Sequence, residues 1–267
     1  MKQVVQNRRF RAVYREIVLK ISLSWTAVII YLDRRGIEVR IKYIVSGLAG
    51  CLLGIGIILL GYLLCSIPFG LLIVKLNRGK DVGNIESGRS CGTNAMRAAG
   101  FWAGFVTAML DILKGAGAVW LATWLTPDHW IHVLAPLTAI IGHNYSIFLP
   151  VRNENGKFIG LGGGAGGAPS VGGAMGLWPG SILIILPLGM LTFFSLGIAS
   201  VTTMAVAFFA IIIFAVRAWL GLMPWMDVLY GVGAEILLMW ALRPNLKKLF
   251  EGNERVVKYS LTGWLRA

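Results

Sequence analysis

Residues 43–74 contain no charged side chain. A transmembrane helix needs about 20 predominantly apolar residues, and a soluble core has too little volume to hide a run this long. Further apolar runs follow at Phe101–Leu125, Ile131–Leu149, Ser181–Phe194, Leu196–Trp219 and Met223–Leu242. The chain is 57% hydrophobic and 14% charged, against about 25% charged in a soluble domain. The expected fold class is an all-α integral membrane protein.

The net charge of +13 sits mostly between these runs. Lys75, Arg78, Lys80, Arg89 and Arg97 occupy the first polar loop, and Arg152 and Lys157 the stretch Pro150–Gly173. Arg243, Lys247, Lys248, Arg255, Lys258 and Arg266 lie in the tail, whereas the turn Thr126–Trp130 has no basic residue. The positive-inside tendency puts the three basic segments on the cytoplasmic side. Parity then requires an even number of crossings from the glycine-rich stretch to the tail. Taking Ala168–Trp178 as a short helix of its own gives four, and about seven transmembrane helices from Tyr43 onward. A kink is expected at Pro68 in the first span.

Residues 1–42 carry ten basic residues and form a separate extension ahead of a membrane domain over 43–267. Its apolar piece Ile21–Leu32 fits an interfacial helix, a short buried element or part of a tilted span, and the extension either folds back or adds a crossing. The charge-broken first twenty residues predict no cleavable leader. Because spans interrupt any basic face, the basic charge points to anionic lipid headgroups and not to nucleic acid. Cys51 and Cys65 would lie about 21 Å apart in a helix, too far for a disulfide. No second His or Cys lies at ligand spacing from His143, so no metal is expected.

Four segments carry chemistry. The loop Glu86–Arg97 combines glycines with Ser87, Ser90, Thr93 and Asn94, and ends in an Arg whose planar fork suits phosphate. It either wraps an anion or serves as a solvated connector with Thr93 or Asn94 as a helix N-cap. Asp111 and Lys114 share one helix face, as an internal ion pair or as substrate contacts. His143, near the end of the third span, is either a structural hydrogen-bonder or a site residue. The glycine run Gly160–Gly173 fits a phosphate cradle or close helix packing through small residues. It lacks the Walker and Rossmann patterns.

In order and spacing these segments resemble the membrane glycerol-3-phosphate acyltransferases that use acyl phosphate, the PlsY family. Gly61-Tyr-Leu-Leu-Cys-Ser-Ile-Pro-Phe-Gly70 is similar to the first-helix pattern Gly-Ser-Ile-Pro-Phe-Gly. Ser87-Gly-Arg-Ser-Cys-Gly-Thr-Asn-Ala-Met-Arg97 resembles the first motif, Ser-Gly-Asn-x-Gly-Ala-Thr-Asn-x-x-Arg. Asp111-Ile-Leu-Lys-Gly115 matches Asp-x-x-Lys-Gly, and Gly142-His-Asn-Tyr-Ser-Ile-Phe-Leu149 resembles the lead into the glycine-rich second motif. Asn245-Leu-Lys-Lys-Leu-Phe-Glu-Gly-Asn-Glu254 resembles the third, Asn-Ile-x-Arg-Leu-x-x-Gly-x-Glu.

The resemblance implies a seven-helix fold with motif loops in the cytoplasm of a bacterial cell. It implies acyl transfer from acyl phosphate to the 1-hydroxyl of glycerol 3-phosphate, giving lysophosphatidic acid and phosphate for phospholipid synthesis. No cofactor or metal is implied, the partners are the two substrates and the bilayer, and the expected state is a monomer. Ser87, Arg97 and Asn245 are the implied catalytic residues. Thr93, Asn94, Lys114, His143, Arg152, Lys157, Gly163, Gly164, Gly166, Gly167 and Ser195 are expected at the substrates, with Asp111 and Glu254 as structural supports.

The chain also departs from the pattern. The second motif reads Phe-Lys-Gly-Gly-Lys-Gly-Val-Ala-Thr; Arg152 stands for its first Lys, an insertion follows, and Ala165 falls at the second. Lys157, inside the insertion, is one candidate replacement. Leu242 occupies the place of a His three residues before Asn245, and Ser90 and Cys91 depart from the first motif. These losses motivate a second reading, a divergent lipid- or anion-binding member or partner subunit without the activity. A third is a transporter, which internal inverted repeats would support, and the sequence shows none.

Overall fold

The computed structural model describes residues 38–78, 89–257 and 260–265. The chain divides into two compact units, Met1–Leu53 and Gly54–Ala267. In the first, the described residues form the start of helix α1 (Glu38–Ser66), with Leu48, Leu52 and Leu53 exposed. The rest of the basic extension, Ile21–Leu32 included, lies outside the described residues.

The second unit is built almost entirely of helices. At Pro68 the chain breaks instead of kinking: α1 stops at Ser66 and α2 (Phe69–Arg78) starts beyond the proline. Proline has no N–H to donate and disfavours helical geometry in the residue before it. The break leaves carbonyls without intrahelical partners, and other segments use them. Ser146 donates its hydroxyl to the Ser66 oxygen at 2.5 Å, and Lys114 Nζ donates to that of Ile67 at 2.9 Å.

After α3 (Gly92–Ala99), Gly100 takes a positive φ of 93°, and α4 (Phe101–Leu125) begins at once. Asp128 caps α5 (His129–Asn144), accepting from the Trp130 amide at 3.0 Å. Helices α6 (Gly167–Leu177), α7 (Ile182–Leu196), α8 (Ala199–Trp219) and α9 (Met226–Ala241) follow, then the short α10 (Arg243–Phe250) and α11 (Leu261–Leu265).

The core forms where α6 packs on α4. A Cβ on Gly172 would collide with the Ile112 carbonyl oxygen, and one on Gly115 with that of Pro169. Small residues here let two backbones touch, the usual way helices associate where lipid removes the hydrophobic drive. Val133, Ile140, Val171, Phe214 and Tyr230 close over this contact, and the Tyr230 hydroxyl donates to the Ser170 carbonyl at 2.7 Å. The outer faces are apolar: Trp102, Leu183, Leu191 and Ile236 are all exposed. Among the described residues, four helical stretches are long and apolar enough to cross a bilayer: Gly47–Asn77, Phe101–Leu125, Pro179–Leu196 and Ala199–Trp219.

Pro150–Gly173, read from sequence as polar loop and glycine run, also contains a hairpin. β1 (Pro150–Arg152) pairs antiparallel with β2 (Phe158–Leu161), Pro150 opposite Leu161, around a turn with Gly156 at φ 73°. Each strand is too short to show an alternating apolar pattern.

Candidate active site

A cavity of about 460 Å³ opens where the motif segments meet. The loop before α3 and α3 itself form one wall, with Arg89, Thr93, Asn94 and Arg97. The glycine run and the start of α6 form a second, with Ala165, Gly166, Gly167 and Ala168. The start of α8 gives Ser200 and Thr203, and α10 with the following tail gives Asn245, Lys248, Glu254 and Arg255. Asp111 and His143 line its inner side.

Local chemistry explains the α3 wall. The N-cap of α3 is Cys91, with no side-chain capping bond, so neither Thr93 nor Asn94 takes that role. Both stand inside the first turn. Asn94 is buried and folds back, donating from Nδ2 to the Arg89 carbonyl at 3.0 Å. Arg97 lies in the last turn, exposed at the cavity. Desolvation pushes the Cys91 thiol above its ordinary pKa. A protonated thiol is a poor nucleophile, which disfavours it as an acyl carrier.

The glycine run is held by backbone bonds. The Ser146 amide donates to Gly162, the Gly164 amide to His143 and the Ser90 amide to Gly163, at 2.8, 2.8 and 3.2 Å. A Cβ on Gly164 would run into His143 Nε2, so Gly163 and Gly164 are backbone packed on α5. Gly166 sits in the left-handed region at φ 82° and turns the chain into α6. The first turn of α6 therefore faces the cavity, and helix N-termini favour anions through unpaired N–H groups and the helix dipole.

Asp111 is 1% exposed and pairs with Lys114 Nζ at 2.9 Å, with His143 Nδ1 3.7 Å away. Lys114, also buried, lies 5.4 Å from the Phe69 ring centroid and does not line the cavity. It joins α4 to the broken end of α1.

A polar chain runs along the opposite wall. Arg89 Nη2 donates to the Ala241 carbonyl at 2.8 Å and to Asn245 Oδ1 at 3.2 Å. Asn245 Nδ2 donates to Glu254 Oε1 at 3.0 Å, and Ser200 Oγ donates to the same oxygen at 3.2 Å. Those partners fix the amide: its carbonyl meets the cation and its NH2 the carboxylate.

Thus Arg97, Asn245, Thr93, Asn94, Gly166, Gly167, Asp111, His143 and Glu254 come together at one cavity. Ser87 lies outside the described residues. Ser195 does not line the cavity, and its backbone carbonyl accepts from the Thr262 hydroxyl at 2.8 Å. Arg152 and Lys157, expected at the substrates, instead stand exposed on the hairpin outside the lining. Arg152 Nη1 donates to the Gly156 carbonyl at 3.0 Å, which folds that side chain onto the hairpin's own turn. Conversely, Arg89, Lys248 and Arg255 line the cavity although the motif reading assigned them no site role. Lys248 was accessible to that reading, since it follows Asn245 by three residues on one helix and so shares its face.

Residues 55–252 match the family model described as glycerol-3-phosphate acyltransferase. The chain belongs to the glycerol-3-phosphate acyltransferase family. The enzyme of that name from a strain of Thermus thermophilus is 34% identical over 198 residues, which is 74% of this chain and 92% of the relative. That from Rubrobacter xylanophilus is 32% identical over 200 residues, again 74% and 92%. A crystal structure of PlsY (YgiH), an integral membrane glycerol 3-phosphate acyltransferase in its glycerol 3-phosphate form, superposes with a TM-score of 0.66 at 26% identity. It covers 76% of this chain and 95% of that one. As a member of this acyltransferase family with apolar spans and an apolar outer surface, the chain is a membrane protein.

Proposed function

We propose that this acyltransferase moves a fatty acyl group from acyl phosphate to the 1-hydroxyl of glycerol 3-phosphate, forming lysophosphatidic acid in phospholipid synthesis. The observation that carries the reading is one cavity lined both by Arg97, Arg89 and Lys248 and by the N-terminus of α6. Both substrates are phosphates, and that combination offsets the repulsion of two anions held close together.

In the reaction the acceptor hydroxyl attacks the acyl carbonyl carbon. The bond from that carbon to the phosphate oxygen breaks, and the hydroxyl proton is carried off on the departing phosphate. The donor is already activated, so holding the two reactants in line accounts for much of the rate. Arg97 offers a planar fork to one phosphate. The first turn of α6 offers backbone donors to negative charge as it develops. Asn245, locked by Arg89 and Glu254, presents a fixed edge to the reacting groups. Ser87 is assigned to the same site on the first motif alone. His143 and Asp111 support the wall, and Lys114 ties it to α1.

Seven crossings from α1 to α9 fit the helix order if α5, α6 and α9 cross beside the four long apolar stretches. The basic loop, the hairpin and the tail then share the cytoplasmic face of a bacterial plasma membrane, with the cavity opening there. The enzyme acts as a monomer in this scheme. Product analysis tests the reading. Purified protein given acyl phosphate and glycerol 3-phosphate should yield one phosphate for each lysophosphatidic acid, and acyl coenzyme A should not replace the donor. Equal turnover with acyl coenzyme A would overturn the donor assignment.

A further inference from the structure

Arg89 is held at both ends. Its carbonyl accepts from Asn94, and the next amide, of Ser90, donates to Gly163 in the glycine run. Its Nη2 is fixed by Ala241 and Asn245. Its Nη1 is buried and has no hydrogen-bond partner among the described residues. A guanidinium has five N–H donors and does not lose its charge in proteins. A buried donor left unmatched is costly, the more so when it is charged. A cavity-lining residue so well anchored, with one buried nitrogen lacking an acceptor, is arranged for an anion.

A second observation concerns sequence position. The first-motif pattern has Asn where Arg89 stands, and the second-motif pattern has Lys where Ala165 stands. Both positions line the same cavity. Relative to those patterns, the cavity lacks a cation on one wall and carries one on another. The hairpin residues Arg152 and Lys157 do not line the cavity and so do not fill the gap.

We propose that Arg89 is a substrate-phosphate contact that replaces the lysine absent at Ala165, its Nη1 donating to a phosphate oxygen while Nη2 holds Asn245. The inference rests on the reading of this cavity as the acyl-transfer site. Burial lowers the Arg89 pKa from its usual value, with Glu254 among the groups opposing the shift. The guanidinium is thus partly desolvated, which strengthens its attraction for an anion.

Exchange of the two positions tests this in the full-length enzyme. Activity of the unaltered protein is established first, so that failure of the site reading is seen separately. Arg89→Asn is expected to raise the KM for one phosphate substrate at least about tenfold, the size of one charge-assisted hydrogen bond. Adding Ala165→Lys should restore most of that loss. A lysine at 165 cannot rebuild the bonds to Ala241 and Asn245, so rescue separates phosphate binding from a merely structural role. An unchanged KM in Arg89→Asn, or no rescue in a folded double variant, overturns the proposal. Should Arg89→Asn not fold, Arg89→Lys and the inhibition constant of inorganic phosphate decide. A severalfold weaker inhibition is expected, and an unchanged constant overturns the idea.

Discussion

Asn245 Nδ2 lies 3.0 Å from Glu254 Oε1, joining α10 to the tail that follows it. The same carboxylate oxygen accepts from Ser200 at the start of α8. One acidic side chain thus fixes the amide that faces the cavity. Asn245→Asp would set a second carboxylate against Glu254 and Asn245→Ala would remove both bonds. Either is expected to lower kcat/KM roughly 10- to 100-fold, since bonds to charged groups contribute about 1.5–3 kcal/mol. Asp should be worse than Ala because it also repels phosphate. Steady-state kinetics on detergent-purified variants check this, and equal rates for Asn, Asp and Ala would remove Asn245 from the site.

We propose that the ion pair of Asp111 and Lys114 serves folding more than substrate contact. Lys114→Met would leave Asp111 buried without its cation and the Ile67 carbonyl without its donor. Breaking one side of a buried pair costs about 3–5 kcal/mol. The expected outcome is a large drop in melting temperature, with the surviving folded fraction keeping its KM for glycerol 3-phosphate. A stable variant with a raised KM would instead make Lys114 a substrate contact.

Two glycines of the bundle should behave oppositely on substitution. Gly172→Ala drives a methyl into the Ile112 carbonyl and is expected to destabilise by about 1–3 kcal/mol or more. Gly117→Ala meets nothing within 4 Å in α4 and should stabilise by about 0.5–1 kcal/mol. Thermal unfolding of the two variants side by side reads the difference.

Hairpin cations offer a sharp contrast with the cavity. Arg152→Ala and Lys157→Ala remove exposed side chains outside the lining. Together they should leave kcat/KM within about twofold, as surface changes usually cost little. A tenfold loss in the double variant would bring the insertion back to the substrates.

Much of the fold was legible because the bilayer imposes long apolar runs. Phe101–Leu125 was read from sequence with the same bounds as α4. Gly167–Leu177 lies within one residue of the short helix inferred from charge parity. Pro68 was recognised as a disturbance, but whether a proline bends or stops a helix depends on what receives the freed carbonyls. Here Ser146 and Lys114, distant in sequence, do so. The hairpin escaped because its strands are too short for a period to register.

At the site, the motif spacing brought Arg97, Asn245 and Gly166 into one group, and the structure assembles them at one cavity. Arg89 was visible only as a basic loop residue. Its importance comes from Ala241 and Asn245, more than 150 positions away in the chain, and no local pattern encodes that.

The most direct test of the account is acyl transfer by the purified protein, from palmitoyl phosphate to labelled glycerol 3-phosphate, beside Arg97→Ala. The account expects saturable formation of lysophosphatidic acid by the unaltered enzyme and loss of most of it in the folded variant. No product from protein shown to be folded, or unchanged KM and kcat in Arg97→Ala, would contradict it.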